Sequence, residues 1–377
     1  MIFVDLSTFF QALKCVFSRR WRSPRRILWT FISLFAVTAV YLLNSFCRLL
    51  DELLFPGYRK VTVRRPLIIT ANPRSGTTFL HRLLSLDRET FACFSLYQTI
   101  FPSIVMYRLF SLLGKIDGCC GRPFSKCLAW MDRRFFGGWN GIHSIGLERT
   151  EEDEALFLFN FATPALYMLF PFFREVPALR FGDRLRERKR KALARYYEAS
   201  VKRFLYASGG GNRIFLAKSV LFSSRMKIIT GLFPDARVVY LVRNPYEALP
   251  STIGLFTAMW RVHSPDIPRN SEESREWARL CIDYFRYFNA NRDLLDSRLM
   301  TVNYDDLKRN PAGVVKRIYR TFGITLGPAF ADRLDRESVK NNNFRSNHSY
   351  SLEEYGIERD WVYRELKDMF DEYGLKR

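Results

Sequence analysis

Residues 66–84 have the sequence Pro66-Leu-Ile-Ile-Thr-Ala-Asn-Pro-Arg-Ser-Gly-Thr-Thr-Phe-Leu-His-Arg-Leu-Leu84. Its first part, from Leu67 to Ala71, is a short apolar run with β-branched residues, which is typical of a buried strand. Asn72 and Pro73 interrupt this run, and from Gly76 onward the apolar residues recur at helical spacing. The segment therefore predicts a strand, a tight loop and a helix in direct succession.

The loop between this strand and this helix has the chemistry of a phosphate-binding site. Backbone N–H groups at a helix start lack partners, and the helix dipole adds partial positive charge there. Ser75, Thr77 and Thr78 add hydroxyl donors, and Arg74 adds a planar cation. The loop is not that of nucleoside triphosphatases, because no Lys follows Gly76 to reach a β- or γ-phosphate. We therefore expect it to bind the phosphate of another kind of ligand.

This loop, Pro73-Arg-Ser-Gly-Thr-Thr78, resembles the 5′-phosphosulfate loop of sulfotransferases that use 3′-phosphoadenosine 5′-phosphosulfate, PAPS. By itself the loop also suits some other P-loop-like protein.

A second motif, Tyr240-Leu-Val-Arg-Asn-Pro-Tyr-Glu-Ala-Leu-Pro-Ser251, resembles the family's 3′-phosphate site in the spacing of Arg243 and Ser251. Taken alone, these two residues would be an exposed ion pair and a helix hydroxyl. A third segment, Thr301-Val-Asn-Tyr-Asp-Asp-Leu-Lys-Arg-Asn-Pro311, is similar to the strand and acidic turn that close many sulfotransferase domains.

The resemblance spans roughly residues 60–375 and is nearest to the broad bacterial-type branch of the family. It implies an α/β fold that is P-loop-like, with three α/β/α layers around a mostly parallel sheet, PAPS as the donor and no metal. The alternation of predicted strands at 214–217, 237–242 and 299–303 with helices favours the same parallel sheet. The cosubstrate-binding residues implied by the resemblance are Arg74, Ser75, Gly76, Thr77, Thr78, Arg243 and Ser251.

Two catalytic functions follow from the resemblance. Arg74 would hold the 5′-phosphate and the sulfuryl oxygens, and Lys218 would neutralise the leaving oxygen. Lys218 lies in Phe215-Leu-Ala-Lys-Ser219 and matches the family's Lys-Ser-Pro-like position, although Val220 replaces the proline; the alternative is a surface lysine. A base must also accept the proton of the acceptor hydroxyl.

The sequence leaves the identity of this base open. The candidates are Glu152, His143 and Glu151. A carboxylate beside apolar walls would have a raised pKa that suits a base. The acidic residues before the apolar run at 155–173 could instead form the first turn of a helix, where the dipole favours negative charge.

The N-terminal segment of the chain indicates a membrane protein. Residues 1–26 end in a cluster of arginines. Residues 27–47 contain no charge, and a helix of this length can cross a hydrocarbon core about 30 Å thick. We expect a transmembrane helix at 27–47, a connector at 48–65 and the sulfotransferase domain at 66–377; a buried or interfacial helix is the alternative. Such a single-pass protein would have a lumenal Golgi domain in a eukaryote, or a cytosolic domain at the inner membrane in a bacterium.

A second uncharged run, at 155–173, is predicted to be core helix or the wall of an apolar pocket. If it crossed a membrane, Arg74 and Arg243 would lie on opposite sides and could not bind one ligand. The membrane segment and this run favour a lipid-like acceptor, with a carbohydrate or a protein as the other possibilities. The net charge of +21 attracts anions, but no nucleic-acid-binding motif is present.

Two other functions are compatible with parts of the sequence. A P-loop kinase would need a Gly-Lys loop and a magnesium-holding carboxylate after a strand, and neither is visible. A non-catalytic membrane protein could keep the fold for nucleotide binding alone, and the replacement at Val220 leaves this possibility open.

Overall fold

The fold is known from a computed structural model that describes residues 2–122, 126, 130, 150–209, 211–341 and 350–377. The strands of this part of the chain form one sheet in the order β2-β3-β1-β4-β5. Every pair of neighbouring strands is parallel. The strands are β1 Leu67–Ala71, β2 Phe91–Ala92, β3 Ile214–Lys218, β4 Arg237–Val242 and β5 Leu299–Asn303.

The described α-helices connect these strands and flank the sheet. They are α1 Leu6–Val16, α2 Pro24–Leu54, α3 Thr77–Leu84, α4 Leu96–Ile100, α5 Ile104–Cys119, α6 Glu154–Leu158, α7 Glu187–Ala207, α8 Met226–Leu232, α9 Pro245–His263, α10 Glu272–Asn291, α11 Tyr304–Arg309, α12 Pro311–Thr321, α13 Pro328–Asn341 and α14 Arg359–Tyr373. The predicted strand-loop-helix at residues 66–84 is confirmed, with the helix starting one residue after Gly76.

The sheet separates two hydrophobic cores. Side chains alternate along each strand, so Ile68 and Val238 enter one core whereas Leu67, Ile69 and Val239 enter the other. Helices α7 and α10 contribute to the first core, and α3 and α12 contribute to the second. The predicted three-layer α/β/α architecture is therefore confirmed.

The parallel register brings the carboxyl ends of four strands to one edge. Ile69 pairs with Lys218 of β3 and with Val239 of β4, and Val242 pairs with Asn303 of β5. The loops that leave these strand ends therefore meet at the same edge of the sheet. In open parallel sheets, ligands bind at this edge.

The apolar run at 155–173 is buried, as predicted, but it is not one helix. It consists of the short helix α6 and a 3₁₀ turn at Pro164–Met168. Phe161 adopts a left-handed backbone (φ 57°), and Pro164 lacks the N–H that a continuing helix needs. Helical spacing of apolar residues is thus overridden by backbone conformation at these two positions.

Helix α2 is longer than the predicted membrane segment. Among the described residues it is the one helix long and apolar enough to cross a membrane. It continues through 48–54, which we expected to be connector, because Arg48 and Asp51 find buried partners on the domain. Asp51 pairs with Arg203 (2.9 Å), and both side chains are inaccessible to solvent. The basic helix α7 is therefore buried at Arg203.

We predict that Asp51→Ala strongly destabilises the protein. Asp51 also accepts hydrogen bonds from Ser103 and from the backbone of Ile104 and Val105, so its loss leaves a buried cation and several donors without this partner. The expected loss is about 3–5 kcal/mol of unfolding free energy. The matched control is Asp335→Ala, which breaks the exposed pair with Lys316 and should cost less than about 0.5 kcal/mol. Urea denaturation of both variants measures this, and equal losses would contradict the prediction.

Candidate active site

The loop after β1 has an unusual backbone. Arg74 and Gly76 both have positive φ angles, 69° and 89°. Gly76 precedes the first residue of α3, so the loop turns directly into a helix N-terminus. A Cβ atom on Gly76 would lie 2.7 Å from the ring of Tyr304, which is much closer than a real contact. Glycine is therefore required here both for its φ angle and for the space beside Tyr304.

The residues of the first two motifs contact each other. Arg74 Nε donates to Ser251 Oγ (3.2 Å), and Arg243 Nη1 donates to the backbone carbonyl of Arg74 (2.7 Å). Burial lowers the pKa of Arg74, and the nearby charge of Arg243 lowers it further. Two cations held this close repel one another, and a bound anion would relieve that repulsion. The two predicted phosphate contacts thus belong to one site.

Arg243 is oriented by neighbours on two sides. Its Nε and Nη2 donate to Glu247 Oε2 one helical turn further on (3.1 and 2.9 Å). Its guanidinium also lies over the ring of Tyr304, 4.7 Å from the centroid. Tyr304 directly follows β5, at the same sheet edge. Tyr304 contacts both predicted phosphate motifs, but the sequence analysis did not single it out. Its position directly after a predicted strand is the sequence feature that could have identified it.

Lys218 is buried rather than exposed. It is the last residue of β3, and its side chain is 0% exposed. Its Nζ donates to Thr78 Oγ1 (3.2 Å) and to Glu151 Oε2 (3.2 Å). The alternative of a surface lysine is therefore wrong. Burial lowers the pKa of the neighbouring His81 to about 3, and the charge of Lys218 contributes to this shift. His81 is therefore neutral.

The acidic segment, residues 151–154, lies across the carboxyl end of β3. The backbone N–H of Glu151 donates to the carbonyl of Phe94, and that of Asp153 donates to the carbonyl of Lys218 (both 3.1 Å). These two bonds hold Glu152 between them. Only the following residues, from Glu154, form the short helix α6.

The four acidic side chains of this segment have different surroundings. Glu154 is paired with Arg225 (2.6 Å), Asp153 accepts from Tyr197, and Glu151 is bound to Lys218. The carboxylate of Glu152 makes no hydrogen bond within the described residues. Desolvation raises the pKa of Glu152 to about 7; Lys218 lowers it and Glu151 raises it. Its charge also acts on Arg74, so it lies within electrostatic range of the phosphate motifs.

One hydroxyl of the loop fits an anionic ligand. Ser75 is 1% exposed, and its Oγ has no hydrogen-bond partner among the residues that the structure describes. A buried hydroxyl without a partner is costly, and a phosphate oxygen would accept a hydrogen bond from it. Thr77, at the first position of α3, is also buried, with its backbone N–H among the free donors of the helix start.

Most of the predicted site residues therefore lie at one edge of the sheet. They are Arg74, Ser75, Gly76, Thr77, Thr78, Glu151, Glu152, Lys218, Arg243 and Ser251. His143 lies outside the described residues. Asp305 and Asp306 pair with Lys308 and Arg309, as expected of charged groups in a helix turn.

Comparison with known proteins identifies sulfotransferases. Residues 166–328 match the model of the sulfotransferase family. The chain is 24% identical over 365 residues to the omega-hydroxy-beta-dihydromenaquinone-9 sulfotransferase Stf3 of Mycobacterium tuberculosis, with 93% of this chain and 84% of that protein covered. These matches support a sulfotransferase enzyme of the bacterial type, as the motifs predicted, and such an enzyme requires a sulfonate donor.

Two solved structures share the fold. The sulfotransferase STF1 from Mycobacterium tuberculosis superposes with a TM-score of 0.74 at 19% identity, over 96% of this chain and 92% of that one. The sulfotransferase STF9 from Mycobacterium avium superposes with a TM-score of 0.70 at 18% identity, over 100% of this chain and 98% of that one. The fold prediction is confirmed by both.

We predict that Gly76→Ala destabilises the protein by at least about 1 kcal/mol, because a left-handed backbone costs an L-residue about 1–2 kcal/mol and the new methyl would meet Tyr304. The control is Gly231→Ala in α8, where no atom lies within 4 Å of the added Cβ. That change should be neutral or stabilise by up to about 1 kcal/mol. Thermal unfolding of both variants provides the measurement. A fully stable Gly76→Ala protein would contradict the described loop.

Proposed function

We propose that this sulfotransferase transfers the sulfuryl group of PAPS to a hydroxyl of a lipid-like acceptor. The observation that supports this most directly is the contact of Arg74 with Ser251 and Arg243 at the strand ends, beside the buried cation Lys218. Three cations at one edge suit a ligand with two phosphate groups and a sulfuryl group.

In this proposal the two motifs bind opposite ends of the donor. The loop hydroxyls and the N-terminus of α3 hold the 5′-phosphate, and Arg74 lies over the sulfuryl oxygens. Arg243 and Ser251 hold the 3′-phosphate. Glu247 and the Tyr304 ring support this by holding the Arg243 guanidinium in one orientation.

The reaction is an in-line displacement at sulfur. The acceptor oxygen forms a bond to sulfur while the bond between sulfur and the bridging oxygen of the 5′-phosphate breaks. The electron pair of that bond leaves with the phosphate, where Lys218 and Arg74 would neutralise the charge. The proton of the acceptor hydroxyl passes to a base. The products are a sulfate ester and 3′-phosphoadenosine 5′-phosphate, PAP.

Glu152 is the base that we favour. Its carboxylate has no hydrogen bond among the described residues, whereas Glu151 is bound to Lys218. A pKa of about 7 leaves Glu152 partly ionised at neutral pH and makes it a stronger base than an ordinary carboxylate. His143 is the alternative candidate for this base.

A lipid-like acceptor is supported by two observations. The related Stf3 protein is named for a hydroxylated dihydromenaquinone, which is a long apolar molecule with a hydroxyl group. Next to the acidic segment, the chain at 155–173 is apolar and contributes buried aromatic rings such as Phe157 and Phe161. In a bacterium the enzyme would act at the cytosolic side of the inner membrane, and in a eukaryote at the lumenal side of the Golgi.

We predict that Arg74→Ala and Arg243→Ala each weaken PAP binding by tenfold or more, because a hydrogen bond to a charged group contributes about 1.5–3 kcal/mol. Calorimetric titration of the purified protein with PAP measures this. Arg309→Ala is the control, since this arginine is 76% exposed and pairs with Asp306 on its own helix. A folded wild-type protein that does not bind PAP would remove the proposed donor. PAP binding without transfer to any hydroxylated lipid would instead favour the non-catalytic nucleotide-binding protein.

We predict a pH-rate profile that reports Glu152. A base with a pKa of about 7 is protonated and inactive below that pH, so kcat/KM should rise with pH and level off above about 7. Glu152→Gln should remove this rise and lower the rate by about 10²–10⁴-fold. Glu151→Gln removes a charge that raises the pKa of Glu152, so the rise should persist but move to lower pH. An unchanged profile in Glu152→Gln would assign the base elsewhere.

A further inference from the structure

Helix α2 is amphipathic in the opposite sense to a helix of a water-soluble protein. The residues that face the domain include polar and charged side chains. The buried positions are Arg26, Thr30, Leu34, Val37, Asn44, Cys47, Arg48 and Asp51. Their spacing of three, four and seven residues places them on one side of the helix. The side that faces the sulfotransferase domain is thus the polar one.

The opposite side of α2 is apolar and exposed. Phe35 and Leu53 are each 77% exposed, and the stripe contains no charged residue over its central 21 positions. Its exposed members are Leu28, Trp29, Phe31, Ile32, Phe35, Leu42, Leu43, Phe46, Leu49, Leu53 and Leu54. Large contiguous apolar surfaces of this kind mark contact with a membrane or a partner.

Two neighbouring helices extend this surface. Directly after α1, Phe17 contacts Phe31 of α2 through its ring (6.1 Å between centroids), and both rings are exposed, as are Leu6 and Phe10 of α1. On α5, which packs beside α2, the exposed residues are Leu109, Leu112, Leu113 and Ile116. We call the exposed apolar residues of α1, α2 and α5 the docking face.

Both ends of α2 are fixed to the domain. Near the start, Arg26 donates to Ser264 (2.8 Å) and pairs with Asp266. Near the end, Arg48 donates to Ser200 (2.8 Å) and Asp51 pairs with Arg203. A helix that crossed a bilayer away from the domain would have to break these buried contacts and carry their charges into lipid, which is costly.

Exposed cations flank the docking face. Lys14, Arg19 and Arg22 lie at one end of α2, and Lys60 and Arg64 follow the other end. Along α5, Lys115 is also exposed. An apolar face bordered by basic side chains is complementary to an anionic bilayer surface, where acyl chains lie beneath negatively charged headgroups.

We propose that the docking face lies in one leaflet of an anionic membrane, so that α2 is parallel to the bilayer surface and does not cross it. The protein is then monotopic, with α1 and the domain on the same side of the membrane. This arrangement keeps the buried contacts of Arg26, Arg48 and Asp51 and still covers the apolar stripe. It does not depend on the donor, the base or the acceptor, and it is tested without catalysis.

The arrangement also places the site near the lipid. Asn44 and Arg48 of α2 donate to the carbonyls of Ile100 and Pro102, which lie at and beyond the end of α4. Helix α4 in turn contacts α6, which follows the acidic segment of the active site. A hydroxylated lipid in the same leaflet would therefore have a short path to Glu152.

The first test is flotation of the full chain with vesicles. Vesicles of phosphatidylcholine and phosphatidylglycerol (about 3:1) should bind the protein more strongly than phosphatidylcholine alone, because each basic residue near an anionic surface adds to the affinity. Phe35→Glu combined with Leu42→Glu should lower the bound fraction at least tenfold. Leu294→Glu, which changes an apolar side chain exposed elsewhere (44%), should not. Circular dichroism of the variants verifies that they are folded.

The second test determines whether α2 crosses. Single cysteines are introduced as Ser18→Cys and Lys60→Cys, two exposed positions beyond opposite ends of α2, with Cys119, Cys120 and Cys127 changed to Ser. An impermeant maleimide is applied to sealed inverted membrane vesicles of the bacterial expression host. A monotopic protein is labelled equally at both positions. Labelling at one position only would establish a crossing helix and overturn the proposal. A folded wild-type protein that does not float, or a dimer abolished by the same glutamates, would overturn it too.

Discussion

The buried charge of Lys218 is the constraint on which the active site depends. A lysine with no solvent exposure needs a carboxylate partner, and Glu151 provides it at 3.2 Å. That pairing, with the backbone bonds of Glu151 to Phe94 and of Asp153 to Lys218, draws the acidic segment across the end of β3. The segment cannot lie elsewhere without exposing or unpairing these charges. Glu152 is left at the edge of the site as the one member of the segment without a hydrogen-bond partner for its carboxylate in the described part of the chain.

The same principle joins the N-terminal helices to the domain. Asp51 and Arg203, and likewise Glu154 and Arg225, are buried pairs with extra hydrogen bonds from neighbouring groups. Pairs of this kind define a unique arrangement more than they add stability, because desolvation offsets much of their attraction. In this protein the Asp51–Arg203 pair orients α2 with its polar side inward. The apolar outer side is then a consequence of how the charges are paired, and a membrane is the environment that suits it.

For sulfuryl transfer the protein must mainly position the two reactants and supply positive charge near the leaving group. The sheet edge brings together cations from the ends of three separate strands: Arg74 after β1, Lys218 at the end of β3 and Arg243 after β4. Each is restrained by at least one neighbour, so little reorganisation is required when an anion arrives. A lipid acceptor adds a second requirement, which is access from an apolar phase. A monotopic face close to α4 would meet that requirement without exposing the donor site to lipid.

Local sequence patterns account for the elements around Gly76 and for the choice of candidate ligand-binding residues. The strand and helix around Gly76 follow from apolar periodicity and from the turn residues between them, whereas Arg74, Arg243 and Ser251 are singled out by motifs that resemble those of sulfotransferases. These are short-range features, because strand period, helix period and capping act over a few residues. Such signals sufficed for this segment, and the resemblance of the motifs to those of sulfotransferases added the fold class and the proposed donor site.

Only the tertiary structure decided which groups are paired. Glu151 and Glu152 are adjacent and chemically alike, yet only Glu151 meets Lys218, a residue 67 positions away in the chain. The extent and orientation of α2 likewise depend on Asp51 finding Arg203, 152 positions away. The physical reason is that burial and ion pairing are set by residues distant in sequence, which no local pattern records.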